Sequence, residues 1–86
     1  MHMDISIEKF YDKFTEMYEF LYDNYDRVAG YGEALEEFDV FLSKHTSFVV
    51  EFAKYRGRMI FGDDSIDPIS SDRECVAFMF ALSSFM

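Results

Sequence analysis

Basic residues are scarce in this chain: eight Lys and Arg stand against seventeen Asp and Glu, for a net charge of −9. That deficit argues against nucleic acid or anionic lipid as a direct ligand, because both are polyanions that recruit Lys and Arg. A macromolecular partner is expected to be a basic protein. Cysteine is nearly absent as well. The single Cys75 cannot form an internal disulfide framework and fits a reducing, cytoplasmic setting. The longest uncharged run, residues 75–86, falls short of the ~20 apolar residues that a bilayer-spanning helix needs, so no membrane span is expected. The opening MHMDISIEKF has neither a basic flank nor an apolar stretch, and no secretory signal is expected from it.

What the chain does have is apolar surface. Half of it is hydrophobic, with 11 Phe and 6 Tyr, enough to fold as one domain without covalent staples. Apolar residues recur at helical spacing in four segments, which predicts an all-α bundle with short loops. Helix 1 is expected at 7–28, capped by Ser6 and turning Ile7, Phe10, Tyr11, Phe14, Met17, Tyr18, Leu21, Tyr25 and Val28 to one face. Helix 2 is expected at 33–45 with Leu35, Phe38, Phe41 and Leu42 inward, and helix 3 at 48–61 with Phe48, Phe52, Tyr55 and Met59 on a shared face. The β-branched pair Val49-Val50, the run Met59-Ile60-Phe61 and Gly57 also suit short strands in this third segment. Helix 4, at 72–86, opens with Ser71-Asp72-Arg73-Glu74, a capping box. Beyond that box it carries no charge, so it is either the central element of the bundle or a dimer interface.

The polar side of helix 1 is one-sided in charge. At about 100° per residue Glu8, Asp12, Glu16, Glu19, Asp23 and Asp26 form a single ridge ~27 Å long with a charge every ~5.4 Å. A DNA strand carries one per ~3.4 Å. Like charges three or four apart cost a helix ~0.2–0.5 kcal/mol per pair, and Asp23 and Asp26 sit where the helix dipole disfavours anions. Lys9, Lys13 and Arg27 are spaced to offset part of this, against Asp12, Glu16 and Asp23 respectively. Helix 2 repeats the pattern with Glu33, Glu36, Glu37 and Asp39. Such a face either keeps a small protein in solution or docks a basic partner. Exposed aromatics beside the ridge, Tyr22 and Phe20, would anchor that partner by packing and cation–π contact. The residues nominated for partner binding are therefore Glu8, Asp12, Glu16, Glu19, Tyr22, Asp23, Asp26, Glu33, Glu36 and Glu37. One basic island, Lys54, Arg56 and Arg58 against Glu51, is expected to pair internally or between protomers.

Motifs for chemistry are weak. DDSIDPISSDRE at 63–74 imitates a calcium-binding loop, with Asp63, Ser65, Asp67, Ser71 and Glu74 at ligand positions, but Pro68 occupies the place that needs Gly. Cys75 and His45 have no spacing that marks a nucleophile and its base. His2, His45 and Cys75 do not make a zinc site. No enzyme, metal or cofactor is expected. In broad character the chain is similar to the small acidic immunity proteins of nuclease toxins and to phage-encoded DNA-mimicking inhibitors of restriction or CRISPR systems. That similarity implies a non-catalytic inhibitor occupying a basic nucleic-acid-binding surface, and it assigns no individual residue. The alternative is a homodimeric helical adaptor or regulator joined through helix 4, its acids serving only solubility.

Overall fold

A computed structural model of the protein describes residues 5–85. Four α-helices follow one another: α1 (Ile7–Asn24), α2 (Tyr31–Lys44), α3 (Thr46–Phe61) and α4 (Asp72–Ser83). The expected all-α bundle is therefore found, and residues 46–61 are helix throughout. Met86, placed at the end of helix 4 by its periodicity, lies outside the described residues, as do His2 and Met3.

The ends follow from local chemistry. Ser6 accepts a hydrogen bond from the Lys9 amide at 3.4 Å, and Ile5 before it packs against the cluster that contains Phe10, as a hydrophobic staple does. Helix α1 stops at Asn24 rather than at 28. Its last turn holds no basic residue, so nothing there offsets the dipole, and the Asn24 side chain donates through Nδ2 to the Phe20 carbonyl at 2.9 Å. Residues Tyr25–Arg27 tighten into a 3₁₀ turn and Val28 is extended. Gly30, at φ +79°, then lets α2 begin at Tyr31, two residues earlier than expected, and the Tyr31 ring meets Tyr25 edge-on at 4.5 Å.

At the centre three fully buried rings, Phe10 of α1, Phe52 of α3 and Phe78 of α4, meet edge-to-face with centroids 4.8–5.4 Å apart. Phe38 and Phe41 bring α2 onto Phe78 at 5.3 and 5.6 Å. Helix α4 is thus the central element: Val76, Ala77, Phe78 and Ala81 are fully buried by the rest of their own chain. Both α1 and α2 pack on it, and α1 and α3 pack on each other.

Two helix faces differ from expectation. On α2 the buried stripe is Ala34, Phe38 and Phe41, while Leu35 is half-buried and Leu42 exposed. On α3 it is Val49, Phe52, Ala53 and Gly57, while Met59 is 57% exposed. Small residues take part in both buried stripes, and on α3 they admit an approach that larger ones could not. At Gly57 a Cβ would lie 1.7 Å from the Ser65 carbonyl oxygen. The loop after α3 folds back over this strip, and the Asp67 amide donates to the Ala53 carbonyl at 3.1 Å. The glycine that weakens α3 locally is what lets the loop pack.

Candidate functional site

Along α1, Glu8, Asp12, Glu16, Glu19 and Asp23 all face solvent, and Asp26 does so from the 3₁₀ turn beyond it. The regular 3.6-residue ridge therefore ends at Asp23, shortening it to ~22 Å, with Asp26 displaced by the tighter winding of the turn. Of the expected bases, Lys13 pairs with Glu16 at 3.2 Å. Among the described residues no ion pair joins Lys9 to Asp12 or Arg27 to Asp23. The ridge runs beside α3: partial burial, with the Glu8 and Asp12 carboxylates next, raises the Tyr55 phenol above its ordinary pKa.

Phe20 and Tyr22 flank the ridge and are 49% and 67% exposed, the anchor positions that the helical wheel assigns them. One face of Tyr22 is already engaged. The Arg73 guanidinium of α4 lies 4.8 Å from its centroid, 5.3 Å from Tyr25 and 6.0 Å from Tyr18. Three rings of the first helix and its following turn hold the chain's own cation, and Arg73 Nε has no hydrogen-bond partner among the described residues. The aromatic surface left open beside the ridge is thus Phe20 and the free face of Tyr22.

The nominated carboxylates of α2 form a second group. Glu33, Glu36 and Glu37 line a groove of about 790 Å³ between α2 and the C-terminal half of α4. Phe41, Met79 and Leu82 supply its apolar floor, Val40 its wall, and Lys44 and His45 close its far end. No residue of α1 lines it. The ten nominated residues are all exposed, but the structure divides them between the α1 ridge and this α2 rim rather than joining them in one surface. Val40, Lys44, His45, Met79 and Leu82 were not nominated. Val40, an apolar residue on an acidic helical face, was the available signal; Met79 and Leu82 look like core in sequence.

The loop and the start of α4 use their acids internally. Ser71 Oγ accepts from the Glu74 amide at 3.2 Å, while Glu74 Oε1 accepts from the Ser71 amide at 3.0 Å, completing the expected capping box. Its other oxygen, Oε2, pairs with Arg56 Nη1, and Arg56 Nε pairs with Asp67 at 3.3 Å. Burial pushes the Glu74 carboxyl up, but hydrogen bonds from Ser71 and Arg56 outweigh it and hold the pKa below its ordinary value. Asp67 and Glu74, two of the calcium-loop positions, are thus turned toward a guanidinium, and Arg56 of the basic island is paired within the chain. Burial, reinforced by the Asp72 and Asp39 carboxylates, pushes the Cys75 thiol up, opposite to what a thiolate nucleophile requires. His45 shares its groove with Met79 and Leu82, one and two turns further along α4 than Cys75. Among the described residues no His, Cys, Asp and Glu side chains cluster to hold a metal, and no helix is long and apolar enough to cross a membrane. Comparison with protein-family models, curated proteins and solved structures gives no match.

Proposed function

We propose that this protein is a small, non-catalytic, cytoplasmic inhibitor that occupies the basic nucleic-acid-binding surface of a partner protein, with the α1 ridge as a docking face. It would act as a DNA mimic of the anti-restriction, anti-CRISPR or toxin-immunity type. One observation carries the reading: the ridge carboxylates stay in solvent with a single ion pair, Lys13–Glu16, among the described residues. The fold gains nothing from them. Like-charge neighbours and the dipole work against a helix so decorated, whereas the acids that the fold does use, Glu74 and Asp67, are paired with Arg56. Their spacing, sparser than phosphates but of comparable order, suits a basic groove. The field of such a protein would steer association toward ~10⁸ M⁻¹s⁻¹ at low salt.

The test is a pull-down from the source cell at low and high salt with the wild type and with Glu16, Glu19 and Asp23 all reversed to Lys. Support is capture of a nucleic-acid-binding protein that is displaced by duplex and lost on reversal. Capture that survives both salt and reversal refutes electrostatic mimicry. The homodimeric adaptor joined through helix 4 would use the side of α4 that its own chain leaves partly open at Phe80, and Met59, Ile60 and Phe61 at the end of α3, each more than half exposed, offer it a further apolar face. A monomeric mass at micromolar concentration sets it aside.

A further inference from the structure

We infer that the α2–α4 groove is the seat of a partner's amphipathic helix that carries its Lys or Arg at one end only. The inference rests on the proposed inhibitor function and names the element of the basic partner that the α1 ridge leaves unspecified. The floor of the groove is apolar and closely packed, with Phe41 and Met79 each 8% exposed and Leu82 4%, so it is a firm surface rather than a loose gap. Val40 stands at its wall 53% exposed, a branched apolar side chain left in water between Glu36, Glu37 and Lys44. Apolar surface in a concave site, with polar groups confined to its margin, is the arrangement that receives a helix through anchors at i, i+3, i+4 and i+7.

Charge fixes the occupant's chemistry. Glu33, Glu36 and Glu37 flank one end of the groove and Lys44 with His45 closes the other. From Glu33 to Lys44 the α2 backbone rises ~16 Å, which matches about three turns of a docked helix. A segment with cations over the glutamates and none over Lys44 is complementary along its whole length. A uniformly basic segment meets Lys44, and an acidic one meets the three glutamates. A second copy's groove is concave like this one and cannot fill it, whether the two run parallel, glutamates against glutamates, or antiparallel, glutamates against Lys44.

The test uses synthetic 14-residue amphipathic peptides with one Leu face and Lys at the N-terminal end, at the C-terminal end, or replaced by Glu. Each is titrated into the full ¹⁵N-labelled protein and followed by NMR. Expected are shifts confined to Val40, Phe41, Met79, Leu82 and their neighbours for one of the Lys peptides. Binding should weaken about tenfold or more for the Glu peptide and for Glu33, Glu36 and Glu37 together reversed to Lys. Val40→Asp, at an exposed position, should weaken it with the dispersion of the spectrum intact, and reversal of Glu16, Glu19 and Asp23 should leave it within about twofold. Shifts that map to the α1 ridge instead overturn the groove and leave the ridge reading standing. Equal binding of Lys and Glu peptides at the groove overturns its charge selection, and no preference for Lys anywhere on the molecule overturns both. Concentration-dependent shifts that link the groove to residues 59–61 without peptide would identify a second copy as the occupant and refute the inference.

Discussion

Replacing Glu74 by Ala should be the most damaging single change at any charged position of the fold. The side chain, 9% exposed, joins three elements: it closes the α4 cap through Ser71, accepts from Ser70, and pairs with Arg56 of α3, itself 12% exposed. Truncation leaves the Ser71 hydroxyl on the residue-74 amide but removes the reciprocal hydrogen bond from the Ser71 amide, worth ~1 kcal/mol, and strands the guanidinium. Breaking a buried pair costs ~3–5 kcal/mol, and the low end applies because Asp67, 27% exposed, still faces Arg56 at 3.3 Å. The sum is ~4 kcal/mol, a large share of the ~5–15 kcal/mol that keeps a domain folded. At ~4–8 °C per kcal/mol for a chain of this size, the midpoint should fall by roughly 15–30 °C. Urea denaturation by circular dichroism and calorimetry measure both. The control is Arg56→Met combined with Glu74→Leu, which removes the stranded charge and should recover all but the ~1 kcal/mol of the lost Ser71 hydrogen bond. A loss under ~1.5 kcal/mol for Glu74→Ala, or a double variant no more stable than the single one, refutes this account of the pair.

The depressed Glu74 pKa adds stability that is present above the unfolded value, 4.5, and lost as pH falls through the lower folded value; the gap in urea stability between wild type and Glu74→Gln should therefore narrow between pH 6 and pH 3. Gly57→Ala should destabilise by more than ~1 kcal/mol although Ala is the better helix former, because its Cβ meets the Ser65 carbonyl; hydrogen exchange of the Asp67 amide, bonded to Ala53, should accelerate. Asp23→Lys should raise stability by ~0.3–1 kcal/mol, since the last turn of α1 has no basic residue; a neutral or destabilising result in urea would show that Asp23 serves the fold.

The elements were legible because the apolar period was strong: α1, α2 and α3 start within two residues of expectation, and the box at Ser71–Glu74 marked the start of α4. The C-terminal end of α1 was not legible, because nothing in the run from Tyr25 to Val28 breaks an apolar period that still packs on the core after the helix has ended. Buried faces were misjudged where small residues decide them. Ala34, Ala53 and Gly57 carry little hydrophobic weight in a periodicity, yet they set how near a neighbour comes. Of the candidate site, the exposed ridge was readable from the wheel. The groove was not, since Val40 and Leu82 are brought together only by packing of α2 on α4. The fate of Arg73 was equally hidden, because its cage is built from Tyr18, Tyr22 and Tyr25 on another part of the chain.

Dividing the acidic residues between a ridge and a groove separates two quantities that a single docking face would mix. Exposed charge acts over a Debye length of ~8 Å at physiological salt and accelerates encounter, but contributes little once the partner is seated. Buried apolar contact has the opposite character, being short in range and expressed in lifetime. The α1 ridge carries its apolar surface as two separate side chains on its two flanks, Phe20 and the free side of Tyr22, whereas the groove gathers Val40, Phe41, Met79 and Leu82 into one concave site. In the proposed complex the ridge therefore sets the association rate and the groove the dissociation rate. Reversal of Glu16, Glu19 and Asp23 should lower kon about tenfold and flatten its salt dependence, while Val40→Asp should raise koff and leave kon within about twofold. Surface plasmon resonance at several salt concentrations reads both constants. If both variants change only koff, the ridge is a contact surface like any other and steering has no part in recognition.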